Sequence, residues 1–489
     1  MSYPPKSYTT LFITVFLVAY IIADCFFRTS AFGDSNKFTI SLQDKIGSSF
    51  TDILFIIFCD ILTPIVMAAL LIMYYILAPG KIKTLSFIIY FLFTIYITSL
   101  LKMFYNDPRP YWEDPEVKAK ECYTEYGNPS GHSLSAILLF GMIWYRYLRH
   151  FVQKNKIICC LNYYKVYEDK NMKNILIVDR EEMGNNSNVF QSDLTENQEN
   201  TKEAGKASIA QKIEFIICSL VLMVIAFLIL FGRIYLGMHS YNEVLLGAFY
   251  GFYFLILYVF YIEILIMKAL ERMIKGNDEA IKEGKLINWS YLSYILVIYV
   301  VLIVIAIVTY EICFNNINIP DYYNKNIDKY CADRPLTKKF FYKCFIDCGI
   351  ISGPIGILIG ILLTRGQYET LSKVYKQKGI PINSNENPDS DLVRFVLKTL
   401  GRIVIVFIVC GLPTGLLNII SISNIYGCFF VNNNMALLIG TLFLIRMVPF
   451  VFVKAKLERP DDLLCYRENK MIVIDELEEN KVGIKINNY

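Results

Sequence analysis

The stretch IEFIICSLVLMVIAFLILFGRIYLGMHSYNEVLLGAFYGFYFLILYVFYIEILIM, Ile213 to Met267, decides the architecture. It holds two apolar runs, each long enough to cross a bilayer as a helix of about 20 residues. Between them lies a short polar connection, GRIYLGMHSYNEV, Gly232 to Val244. In lipid every backbone polar group must be satisfied within the segment, so each run reads as a helix, and nothing in it has the alternation of a barrel strand.

The same pattern repeats along the chain. Its 489 residues are 55% hydrophobic, with a mean hydropathy of +0.42. Apolar residues gather into blocks near Tyr8–Phe27, Asp52–Leu77, Thr84–Tyr105, Ser133–Val152, Ile213–Phe231, Tyr241–Met267, Trp289–Phe314, Cys344–Thr364, Phe395–Ile420 and Cys428–Val453. The expectation is an all-α, polytopic membrane protein of about ten transmembrane helices. The first block exceeds the apolar core of a signal peptide and no small-residue cleavage site follows, so it reads as a retained helix. A net charge of +4 gives no reason to expect a nucleic-acid partner; the partner that matters is the lipid bilayer.

Ten spans place Gln153–Lys212, Lys268–Asn288, Arg365–Arg394 and Lys454–Tyr489 on one face. Lys81, Lys83, Arg146, Arg149, Lys154, Lys268, Arg272, Lys373, Lys376 and Lys454 crowd the helix ends there, which marks that face and both termini as cytoplasmic. Arg334, Lys338, Lys339 and Lys343 lie on the opposite face and pull against this assignment. The Asn-, Glu- and Gln-rich half of the 153–212 loop has the composition of a segment without a core.

Two of the three histidines, His132 and His239, fall on the non-cytoplasmic face, together with a third segment, KMFYNDPRP, Lys102 to Pro110. Pro108 and Pro110 stop the helix and hold Arg109 on a stiff turn. Three loops thereby bring Lys102, Arg109, Ser130, Gly131, His132, Arg233 and His239 to one membrane edge. Three fixed cations suit an oxyanion with several negative oxygens, Ser130 can donate its hydroxyl, and Gly131 opens a helix N-terminus to an anion. The ligand this predicts is a phosphate. A neutral imidazole attacks phosphorus best when its other nitrogen donates to a carboxylate; Glu243, four residues after His239, can supply it. His132 is then available to protonate the leaving alcohol.

These three segments resemble the three motifs of the phosphatidic-acid phosphatase type 2 superfamily. Lysine, six residues, then Arg-Pro is met by Lys102, Arg109 and Pro110; Pro-Ser-Gly-His by Pro129 to His132 unchanged; and the third motif by Arg233 and His239. Gly232 stands where that motif has serine, and Glu243 where it has aspartate. The resemblance implies a core of six helices, about residues 50–270, with four C-terminal helices outside it. It implies His239, His132 and Glu243 as catalytic residues, Lys102, Arg109, Ser130, Gly131 and Arg233 as phosphate-binding residues, no metal and no cofactor.

The chain divides on this reading into an N-terminal helix and loop (1–51), the phosphatase core with its inserted loop (52–270 and 153–212), an additional helical region (271–453) and a cytoplasmic tail (454–489). The expected activity is hydrolysis of a phosphomonoester or diphosphate, first of a lipid and second of a sugar. It would act in the endoplasmic reticulum, another endomembrane or the plasma membrane, with the site lumenal or extracellular. A transporter or scaffold with a degenerate core is the competing class. Cys122, Cys313, Cys331 and Cys344 share the oxidising face, so at least one disulfide is expected, with Cys331–Cys344 nearest in sequence.

Overall fold

The computed structural model describes residues 6–77, 81–154, 208–331, 340–363, 392–420, 422–455 and 457. The side chain of Asp60, an acid in the second apolar block, most of the inserted loop and the chain beyond 457 lie outside the described residues. Those that are described form helices and connections, with no strand among them.

Among the described residues, eight helices are long and apolar enough to cross a membrane, or nine if a bent pair counts as one span. That pair is α1, Lys6–Ile46, which bends by 69° between Thr14–Asp24 and Phe26–Ile46. Then come α2 (Ser49–Ile76), α3 (Lys81–Tyr105), the single-turn α4 (Pro110–Glu113) and α5 (Gly131–Lys154). After the inserted loop follow α6 (Ile209–Tyr235), α7 (Tyr241–Lys282), α8 (Trp289–Asn316) and the short α9 (Asp321–Cys331). The last three are α10 (Tyr342–Leu363), α11 (Val396–Ile419) and α12 (Ile425–Lys454). Helix α5 covers the expected span Ser133–Val152 but does not reach the apolar character of the others. His132, Ser133 and Ser135 at one end and Arg146, Arg149 and His150 at the other leave a short apolar middle.

The chain packs as two compact units, one of residues 1–135 with 229–489 and one of residues 136–228. Within the second, Tyr147 and Phe151 stack on Phe215, and Trp144 Nε1 donates to Ser219 Oγ at 3.1 Å. Its exposed Ile216, Leu220, Val224 and Phe227 are what a lipid-facing surface requires.

Within the first unit α3 is the axis. Ser86 Oγ and Tyr258 OH lie 2.7 Å apart, Tyr90 OH donates to Phe254 O at 3.0 Å, and Tyr96 OH donates to Leu302 O at 2.7 Å. Buried hydroxyls need such partners, and these three pin α3 to α7 and α8. Helix α10 packs along α3 as well, where Gly353 leaves room for Leu92. The C-terminal helices therefore share a core with the helices that carry the motifs.

At the end of α3 that carries Lys102, an aromatic cluster joins the same two regions. Trp112 packs edge-on to Phe340 at 4.8 Å, and Tyr126 lies 4.8 Å from Phe341. A disulfide links Cys122 to Cys331. The pairing expected from sequence proximity, Cys331–Cys344, is not the one formed, and Cys344 is a buried free thiol. Helix α9 lays Cys331 beside the loop after α4, through hydrogen bonds from Tyr323 OH to Glu113 Oε1 at 2.6 Å and Asn326 Nδ2 to Trp112 O at 2.7 Å. Distance along the chain was the wrong guide, because α9 folds back on that loop.

Candidate active site

Each predicted residue owes its position to a helix end. Lys102 sits in the last turn of α3 and is buried. The chain then turns through Asn106, whose φ is +41°, and Arg109 caps α4 with an extended backbone, as the prolines on either side require. Arg109 is fully buried. Its Nη1 donates to Met238 O at 3.0 Å, its Nε to Glu125 O at 2.7 Å, and its Nη2 to Glu125 Oε1 at 2.9 Å.

Helix α6 ends at Tyr235, after Arg233. The backbone closes there on a left-handed Gly237, φ +71°, and the N–H groups of Met238 and His239 return to Arg233 O at 3.2 Å each. That wrap brings His239 back beside Arg233. Arg109 and Arg233 both lie over the ring of Tyr123, at 5.1 and 6.0 Å.

Helix α7 then starts with a capping box. Ser240 Oγ accepts from Glu243 N at 3.5 Å, and Glu243 Oε2 accepts from Ser240 N at 3.0 Å. The same Oε2 is 3.2 Å from His239 Nδ1. With Nδ1–H donating to the carboxylate, Nε2 keeps its lone pair. Glutamate thus reaches the imidazole despite its extra methylene. It does so because Gly127 gives it room: a Cβ at 127 would lie 2.4 Å from Glu243 Oε1.

The Gly232 departure also has a steric cause. A Cβ there would lie 2.2 Å from Cys59 Sγ and 3.0 Å from Phe55 Cδ1, so α2 fills the space that a serine side chain would need. Gly131 is different, since an added Cβ would meet only Thr98 Cγ2 at 3.7 Å.

Ser130 is held against α7, its N–H donating to Glu243 O at 3.2 Å. Ser133 Oγ donates to Ser130 Oγ at 2.9 Å, which leaves the Ser130 proton to be given elsewhere. His132, half-buried at the first turn of α5, shares the electrostatic environment of Arg233, Lys102, Glu125 and Arg109. Burial, then Arg233 and Lys102, holds its imidazole well below the ordinary histidine range. His239 is lowered likewise, by burial, then Arg109 and Arg233, with His132 among the further causes. Both shifts favour the neutral imidazole.

Sequence reading missed several members of this site. Glu125 bridges Lys102 and Arg109. Asp107 accepts from Arg28 Nη1 of α1 at 2.7 Å and from Asn128 Nδ2 at 2.7 Å. Gln43 of α1 donates to Lys118 O at 2.8 Å and Tyr235 O at 2.9 Å, and Ser35 Oγ accepts from Tyr241 N at 2.8 Å. Only the capping box, Ser-x-x-Glu, had a readable signature. Among the described residues no three His, Cys, Asp or Glu side chains gather as metal ligands.

Residues 83–267, the stretch that holds all three motifs, match the PAP2 superfamily. The match spans well under half of the chain and takes in the loops of the candidate site. Members of the PAP2 superfamily are phosphatases acting on phosphate esters, which agrees with a pocket of three cations around a carboxylate-supported imidazole. No curated protein and no solved structure matches the chain.

Proposed function

We propose that this chain is a PAP2-type integral-membrane phosphatase that hydrolyses a lipid phosphomonoester or diphosphate through a phosphohistidine at the lumenal or exterior membrane edge. The observation that carries the reading is the buried His239 Nδ1 to Glu243 Oε2 contact of 3.2 Å beside Arg109 and Arg233.

Lys102, Arg109 and Arg233 hold the phosphate oxygens, with Ser130 donating its hydroxyl and the N-terminus of α5 at Gly131 facing the anion. His239 Nε2 forms a bond to phosphorus as the ester P–O bond breaks. Glu243 stabilises the positive charge that develops on the ring. The bound phosphate raises the proton affinity of His132, which burial and the cations depress, so His132 takes up a proton from solvent as the dianion binds. His132 gives that proton to the departing alkoxide. It then takes a proton from water, whose oxygen attacks the phosphohistidine, and phosphate leaves with His239 restored.

The motif residues sit at helix ends, so a lipid tail could remain in the bilayer while its head group reaches the pocket. The Cys122–Cys331 disulfide lies on the loop between the first two motifs and supports an oxidising compartment. Lys343, one of the basic residues opposing this orientation, forms an ion pair with Asp347.

The test is phosphate release from phosphatidate, a sphingoid phosphate, a polyprenyl diphosphate and glucose 6-phosphate, with acid-labile, base-stable label sought on the protein. A lipid substrate turned over by wild type and label absent from His239→Ala are the expected results. Release from none of the four would favour a scaffold; label persisting on His239→Ala would place the nucleophile elsewhere.

A further inference from the structure

Lys102 and Arg109 share one carboxylate partner. Glu125 Oε1 lies 2.9 Å from Lys102 Nζ and 2.9 Å from Arg109 Nη2. One carboxylate oxygen thus bridges an ammonium and a guanidinium, as a phosphate oxygen would. The side chain of Glu125 is 14% accessible and that of Arg109 is 0%. The anion rather than the guanidinium is the group that an incoming ligand meets.

The backbone of Glu125 is fixed, whereas its carboxylate hangs on rotatable bonds. Its carbonyl accepts from Arg109 Nε at 2.7 Å, its neighbour Tyr126 packs against Phe340 and Phe341, and Cys122, three residues before it, is tied to Cys331. Lys102 and Arg109 outweigh the effect of burial and hold Glu125 below the usual carboxylate range, which favours its charged form.

Resting on the phosphatase reading of this pocket, we propose that Glu125 is a resident counter-anion whose carboxylate keeps the place of a phosphate oxygen, and that substrate binds by displacing it from Lys102 and Arg109. Glu125 is then a specificity-determining residue. A phosphomonoester dianion brings more charge to the cations than the carboxylate it replaces, whereas a phosphodiester monoanion brings no more. The pocket favours the dianion, and two cations stay neutralised while it is empty.

The test measures binding without turnover, by titrating orthophosphate and dimethyl phosphate into the full-length detergent-purified protein and its Glu125→Gln variant. The variant should bind orthophosphate on the order of tenfold more tightly, because a competing charged hydrogen-bond acceptor is gone. It should also bind dimethyl phosphate measurably. Weaker or unchanged orthophosphate binding would make Glu125 a positioning residue for the two cations and overturn the proposal. If the variant does not fold, a wild-type structure with orthovanadate decides: the carboxylate off both cations supports displacement, and the carboxylate still on both refutes it. No affinity of wild type for either oxyanion would sink the phosphate-site reading itself, which is a separate result from binding with the wrong Glu125 dependence.

Discussion

Gly127→Ala should disable the candidate site without replacing any of its motif residues. The new Cβ would lie 2.4 Å from Glu243 Oε1, 2.7 Å from Oε2 and 2.8 Å from Cδ. Ordinary contact distances are about 3.5–4.0 Å, so the carboxylate has to retreat by roughly 1 Å. Glu243 is fully buried and its Oε2 also holds Ser240 N at 3.0 Å, so retreat breaks the cap, the 3.2 Å contact to His239, or both. A displacement of that size costs about 10²-fold in rate, and the overpacking costs about 1–3 kcal/mol of stability. The assay is kcat and KM for phosphate release beside a thermal melt. The loss should fall on kcat, because the phosphate-binding cations are untouched. Pairing the variant with Glu243→Asp, which shortens the acid by one methylene, should restore part of the rate, a coupling that independent sites would not show. A Gly127→Ala protein with kcat within threefold of wild type would refute the claim that Glu243 orients His239 from this position.

Three further outcomes follow from the same geometry. Gly232→Ser should lower the melting temperature, at about 1–3 kcal/mol, because Cys59 Sγ stands 2.2 Å from the new Cβ; Cys59→Ala in the same chain should recover part of the loss. Cys122→Ser should cost about 2–5 kcal/mol by opening the Cys122–Cys331 bridge, and peptide mapping that finds Cys331 joined to Cys344 instead would contradict the structure. Because burial, and then the nearby cations, lower His239, the acid limb of kcat/KM should lie below the ordinary imidazole range. Arg233→Gln removes one of those cations, raises the imidazole and should move that limb to higher pH on the same substrate; a move to lower pH would count against a neutral His239 in the free enzyme.

What the sequence made legible is what depends on local spacing. Apolar blocks of bilayer length set the helices, and three short motifs set Lys102, Arg109, Ser130, His132, Arg233 and His239 at helix ends. The four-residue step from His239 to Glu243 puts imidazole and carboxylate on one face, and they meet. Glu125 was not legible, since a single acid in a loop carries no period and its partners stand 23 and 16 residues away. Gly127 and Gly232 were not legible as spacers either, because what excludes a side chain there is Glu243 in one case and Cys59 and Phe55 in the other. The disulfide misled for the same reason: its partners are separated by 209 residues, and only the return of α9 to the motif loop brings them together.

The segment that matches the PAP2 superfamily contains the chemistry but not all that holds it. Asp107, two residues before Arg109, is anchored by Arg28 of α1; the end of α6 and the start of α7, on either side of His239, are held by Gln43 and Ser35 of the same helix. Across the pocket, the loop bearing Glu125 is gripped by α9 and by Phe340 and Phe341. A site whose rate depends on placement within about 1 Å needs such support, because a loop fixed at only two helix ends explores more than that. The N-terminal helix and the region after α7 are therefore part of the framework that holds the candidate site. Truncation at either side should leave motif loops that retain every catalytic residue but no longer hold them in register.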